Sequence, residues 1–150
     1  MRDILFRGIP KDDIDRHFFT DTWKENCEGS FVYGSLVVAH DRYYICVSAL
    51  CAINSCVNNG MTSMIEVIPE TVGQYTGLCD KNGKKIFEGD IIKGAWGVVV
   101  QVVYDECYLG FLARNDMLFQ HGIDYYGLDK IEVIGNIHDN PELLKGGVQN

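Results

Sequence analysis

Val67-Ile-Pro-Glu-Thr-Val-Gly-Gln-Tyr-Thr-Gly-Leu-Cys-Asp-Lys-Asn-Gly-Lys-Lys-Ile-Phe-Glu-Gly-Asp-Ile-Ile-Lys93 sets glycines at 73, 77, 83 and 89 among β-branched and aromatic residues. This punctuation prescribes short strands joined by tight turns, because glycine supplies the positive φ that corners need and the branched residues suit a pleated surface. Asn82-Gly83, flanked by Cys79-Asp80-Lys81 and Lys84-Lys85-Ile86, is a strong hairpin signal and predicts a type I′ turn with positive φ at both central residues. Glu88-Gly89-Asp90 predicts the next corner, into Ile91-Ile92.

Strand signals continue on both sides. Ile4–Arg7 reads as an opening strand, and residues 30–39 as a longer one that turns at His40-Asp41-Arg42 into Tyr43–Val47. Downstream, the apolar run Val98–Tyr104 predicts burial on both faces, with Tyr108–Ala113 as its hairpin partner and Tyr125-Tyr126 and Ile131–Ile134 as further strand material. Asn140-Pro141-Glu142-Leu143-Leu144 predicts a short terminal helix, with Asn140 as N-cap and Pro141 in its first position. Pro10–Cys27 reads as an irregular surface excursion, and residues 48–66 show no clear period. The expectation is a mainly β chain: a β-rich N-terminal part over residues 1–68, then an SH3-like small barrel over residues 69–150 that closes with the short helix.

Charge excludes one class of partner. The formal net charge is −8, and both halves are acidic: residues 1–68 carry six Lys/Arg against nine Asp/Glu, and residues 69–150 seven against twelve. Nucleic-acid backbones attract basic surfaces, so nucleic acid is disfavoured. The local patch Lys81, Lys84, Lys85 and Lys93, with Trp96 and Tyr104 nearby, is the one place where such binding could be built. No apolar leader follows Met1-Arg2-Asp3, and Tyr43–Ile53 is too short to cross a bilayer. A cytoplasmic location and no membrane association are expected.

The six cysteines include no C-x₂-C pair, so free thiols packed as small hydrophobes are expected rather than a metal site or disulfides. A calcium loop centred on Gly83 fails because it would need ligands at Leu78 and Gly89. No P-loop, Gly-x-Ser-x-Gly or dinucleotide fingerprint occurs, so no cofactor and no catalytic residue is assigned. An enzymatic reading rests on Glu88, Asp90 and His138, which folding could bring together.

Five stretches together resemble one family. Arg2-Asp-Ile-Leu-Phe-Arg-Gly8, Glu28-Gly-Ser-Phe-Val-Tyr-Gly-Ser-Leu36, Val67–Gly77, Asp80–Ile91 and Glu132-Val-Ile-Gly-Asn-Ile-His-Asp-Asn-Pro-Glu-Leu-Leu144 are similar to the YopX family of phage and prophage proteins. The resemblance implies a mostly β protein of a phage or prophage, acting in the bacterial cytoplasm, with a barrel-like C-terminal part. That family has no established biochemical activity, so the resemblance carries over no catalytic residue. Its signature positions Gly73, Gln74, Tyr75, Gly77, Asp80, Gly83, Gly89, Asp90, Gly135, Asn136 and Pro141 read as scaffold. The expected role is that of a non-enzymatic accessory protein working by protein contact, either with itself as a homo-oligomer or with a bacterial host protein. The unpatterned stretches 9–27, 43–66 and 106–130, with the tyrosines from Tyr108 to Tyr126, are where that contact would be sought.

Overall fold

A computed structural model describes residues 4–11, 27–47, 63–115 and 120–145, and these divide into two compact units, residues 4–74 and residues from 75 onward. The expected excursion over 12–26 and the unpatterned 48–62 lie outside the described residues. The chain is mostly strand, as the glycine and branched-residue pattern requires.

In the first unit, β1 (Phe6–Gly8) lies between β3 (Phe31–Ala39) and the start of β6 (Gly73–Cys79), and β2 (Cys27–Glu28) pairs along β3. β4 (Arg42–Val47) continues from β3 through a two-residue turn, and β5 (Ser63–Val67) lies on the far side of β4. That turn is His40-Asp41, with φ of 50° and 61°, so the type I′ geometry is made here by two non-glycine residues. Buried Val32, Ile45, Val47, Ile65 and Val67 form the core.

This sheet curls until it meets itself. Just after β1, Lys11 N–H donates to Glu66 O and Ile68 N–H to Ile9 O, and Pro10 forms a bridge with Val67. The approach requires a glycine at position 8, where a Cβ would lie 2.9 Å from the Val67 side chain. Thr71 fixes the seam: its buried hydroxyl accepts the Ile9 N–H at 2.8 Å and donates to Ile68 O at 2.7 Å.

β6 carries the chain into the second unit and pairs there with β7 (Lys85–Phe87). A five-stranded sheet follows in the order β11 (Gln120–Gly122), β10 (Gly110–Arg114), β9 (Val99–Asp105), β8 (Asp90–Lys93), β12 (Glu132–Asn136). Four strands run as a meander, a 3₁₀ turn at Ile123–Tyr126 follows, and the fifth returns beside the first, which is the SH3-like arrangement curled as a half-barrel. Buried Ile92, Val100, Val102, Ala113 and Ile131 point to its inside. On β9 burial alternates rather than running along both faces, because Gln101 and Val103 are only half-covered on the other side.

Three local expectations are corrected. Asn82 does not take positive φ; only Gly83 does, at 81°, and Gly83 N–H closes the turn onto Asp80 O. The Asp80 side chain explains the change, since its Oδ1 takes the Asn82 and Lys84 N–H groups and so favours an aspartate-led turn over type I′. Tyr125-Tyr126 form the end of a 3₁₀ turn rather than a strand, because Gly127 N–H bonds back to Asp124 O. The terminal helix is a single 3₁₀ turn, Pro141–Leu144, and Asn140 makes no side-chain cap there. Four residues are too few to repay helix nucleation, and the Asn140 side chain instead lies over Gly135.

Candidate functional site

Three connections of the C-terminal sheet expose large apolar side chains. Between β8 and β9, Gly94-Ala-Trp-Gly97 presents Trp96 at 82% exposure with φ 63° and ψ 12°. Between β9 and β10, the hairpin tip presents Tyr108 at 74% and Leu109 at 77%, with Leu109 at φ 53°. After β11, the 3₁₀ turn presents Tyr125 at 58%. A bulky residue in the left-handed region is disfavoured by about 1–2 kcal/mol against its ordinary conformation. Neither Trp96 nor Leu109 recovers that by burial.

Side-chain contacts link the β9–β10 tip to the turn after β11. The Tyr108 and Cys107 N–H groups donate to Asp105 Oδ1 at 3.0 and 2.9 Å, and Asp105 Oδ2 accepts the Gln120 side-chain amide at 2.8 Å. The Tyr108 and Gln120 donors, the two strongest influences, outweigh the small effect of burial and hold the Asp105 carboxyl below its ordinary pKa. Next to Gln120, the His121 ring stacks on Tyr125 at 4.1 Å, and Tyr125 meets Tyr126 edge-on at 5.4 Å. Buried Tyr126, whose phenol is raised by burial first and by Tyr125 second, lies against Gly94, where a Cβ would be 2.7 Å from its own. Gly94 begins the Trp96 loop. Tyr104 and Phe111 add an edge-on pair at 5.4 Å, with Tyr104 half-exposed near the hairpin tip.

Carboxylates predominate in these connections, with Lys93 beside Gly97 and Lys130 beside Gly127 at their margins. The segments 94–98, 104–110 and 121–129 carry Asp105, Glu106, Asp124 and Asp129 and no Lys or Arg. Arg114, on β10, acts on Asp105 from outside them.

The signature positions lie in a separate network. Asp80 is buried, and its Oδ2 takes the Val133 N–H at 3.0 Å while Oδ1 holds the turn. Burial alone would raise this carboxyl, but the Val133, Lys84 and Asn82 N–H groups together hold it below the ordinary value. Asp90, 1% exposed, accepts the Phe87 N–H at 2.8 Å and closes the Glu88-Gly89 corner. Gly89 (φ 82°) donates to Val102 O and accepts from Ile137 N–H. The Asn136 side chain accepts the His138 and Asp139 N–H groups at 2.9 Å and ends β12, and Gly135 leaves room for Asn140 and Leu143 to fold back beside it. Pro141 starts that terminal turn. Gly73 and Gln74 pair with Arg7 and Phe6. The Tyr75 ring lies 5.5 Å from that of Phe87, and Gly77 (φ 89°) sits where the β6–β7 register shifts.

A profile of the YopX protein family matches residues 11–145. The chain belongs to the YopX family. Solved structures similar to this YopX chain include protein EF1440 from Enterococcus faecalis, 25% identical over 96% of this chain and 99% of that one, with a TM-score of 0.43. No curated protein matches it.

The other residue sets fall as follows on this YopX scaffold. Lys81 is paired with Glu132, and the Lys85 ammonium stands 5.4 Å from the Tyr75 ring centroid, so two members of the lysine patch already have partners. Gly89 bonds to Ile137 and Asp90 lies opposite Asn136, so Glu88, Asp90 and His138 lie on neighbouring segments. Asp90 is there occupied with the Phe87 N–H. Among the described residues no helix is long and apolar enough to cross a membrane. Sequence reasoning placed Trp96 only beside the lysines and Tyr125 in a strand. The signal for Trp96 was its place between Gly94 and Gly97, a loop too short and too glycine-rich to bury an indole.

Proposed function

We propose that this YopX-family chain is a non-enzymatic accessory protein of a phage or prophage that works in the bacterial cytoplasm through protein contact, with a second copy or with a host protein. One observation carries the reading: Trp96 and Leu109 are exposed at 82% and 77% in backbone conformations that disfavour them, and Tyr108 and Tyr125 are exposed as well. Aromatic side chains offer large, stiff contact area and dominate protein interfaces, whereas acid–base chemistry needs positioned titratable groups that this surface does not assemble.

The test is affinity capture of the full chain from its bacterial host with mass spectrometry, alongside light scattering of the purified protein. The wild type should retain a specific partner or form a defined oligomer, and Trp96→Gly, Leu109→Gly and Tyr125→Ser should lose it while remaining folded. A monomer at every concentration with nothing retained, or the same partner retained by all three variants, refutes the reading.

A further inference from the structure

We infer that Asn82-Gly83, in the turn between β6 and β7, is a site of spontaneous covalent modification at which Asn82 converts through a cyclic imide to isoaspartate, and that Asp80 is the residue that holds this conversion back. The inference is independent of the protein-contact reading above.

The residue pair supplies the chemistry. The Gly83 backbone nitrogen gives its proton to hydroxide and attacks the side-chain carbonyl carbon of Asn82; the bond from that carbon to the amide nitrogen breaks, and ammonia leaves. A cyclic imide then joins the Asn82 side chain to Gly83. Water opens the imide at either carbonyl. Opening at the side-chain carbon leaves aspartate, and opening at the main-chain carbon leaves isoaspartate, whose backbone runs through the side chain and is longer by a methylene. No oxidant or reductant takes part. Glycine permits the attack because it has no Cβ to crowd the nitrogen. Asn82 and Gly83 are both exposed, and nothing lies within 4 Å of the place a Cβ would take at Gly83, so the ring closes without displacing a neighbour.

The fold opposes the reaction through Asp80. The Gly83 N–H, whose proton must leave, donates to Asp80 O at 2.9 Å. Asp80 Oδ1 takes the Asn82 N–H at 2.8 Å and the Lys84 N–H at 2.9 Å, which fixes the peptide units on both sides of the reacting nitrogen. The carboxylate charge also disfavours an anionic nitrogen beside it. Oδ2, on the Val133 N–H at 3.0 Å, ties this brake to β12. Isoaspartate undoes the arrangement, because the added methylene falls between the Asn82 and Lys84 N–H groups that one oxygen now holds together. The converted turn loses at least one of these bonds.

The experiment holds the full-length protein, its Asp80→Ala, Asp80→Asn and Gly135→Ala variants, and a synthetic peptide of residues 78–86 at mildly alkaline pH. Isoaspartate at position 82 is followed by peptide mapping with mass spectrometry, which separates it from the second Asn-Gly pair of the chain at 59–60. Gly135→Ala controls for general loosening, since it crowds Asn140 and Leu143 and leaves the bonds of the turn in place. The peptide should convert fastest, Asp80→Ala about tenfold faster than the wild type, and Gly135→Ala within about twofold of the wild type. Asp80→Asn, which keeps a carbonyl on the turn donors, should fall between Asp80→Ala and the wild type, and it carries the comparison if Asp80→Ala does not fold. Absence of isoaspartate at 82 from the wild type and from both Asp80 variants overturns the inference. Equal rates in the wild type and the Asp80 variants, or Gly135→Ala converting as fast as they do, overturn it as well.

Discussion

Asp80→Asn is the sharpest test of how the C-terminal unit is held. The carboxylate accepts three N–H groups, from Asn82 at 2.8 Å, Lys84 at 2.9 Å and Val133 at 3.0 Å, and thereby ties the turn after β6 to β12. An asparagine can keep its carbonyl on the two turn donors, but its amide then faces the Val133 N–H, donor against donor. Losing one hydrogen bond to a charged acceptor costs about 1.5–3 kcal/mol, and the remaining two weaken as the acceptor becomes neutral, so the expected loss is about 3 kcal/mol. In urea unfolding this moves the midpoint down by about 1–3 M at the slope usual for small proteins. Amide exchange at Val133 should accelerate first. Because the folded carboxyl lies below the ordinary value of 3.8, its contribution is fully present above that value and drains away as pH falls through the lower, folded pKa. The gap between wild type and variant should therefore be flat near neutrality and narrow below about pH 4. A midpoint shift under about 0.3 M, or a gap unchanged in acid, refutes the argument.

Gly135→Ala should lower the thermal midpoint by the equivalent of about 1–3 kcal/mol, because its Cβ would stand 2.7 Å from Asn140 Oδ1 and 2.9 Å from Leu143 Cδ1; scanning calorimetry reads this. His40→Asn with Asp41→Gly should raise stability by about 1 kcal/mol in chemical denaturation, since both positions already hold positive φ. Trp96→Gly and Leu109→Gly should leave the thermal midpoint unchanged or raise it by up to about 1 kcal/mol, and a fall would show that these side chains support the fold after all.

Much of the fold was legible because glycine, proline and β-branched residues act locally. Residues 31–39 and 42–47, the Glu88-Gly89 corner and the return of β12 follow from side chains within a few positions of one another. What was not legible depended on distant partners. The Asp80 turn departs from type I′ because a carboxylate also committed to Val133, on another strand, organises it. Tyr125-Tyr126 have strong strand propensity, yet Tyr126 is needed over Gly94 and the chain must turn to bring it there. The exposed groups were half-visible: the tyrosines stood out in composition, but the contacts made by Gln120, His121 and Gly94 exist only after the sheet has curled.

The seam at Ile9–Lys11 also bears on the order of events during folding. The Thr71 hydroxyl and the Ile9 amide that meet there are 62 residues apart, whereas the β3–β4 hairpin closes over two. Loop-closure entropy makes the hairpin an early structure and the seam a late one. Once shut, the seam occupies the backbone of Glu66 and Ile68, so a neighbouring chain seeking to add a strand at that end of β5 must first undo contacts that formed last. Early intermediates, with β5 still open, are therefore the species in which aggregation would begin.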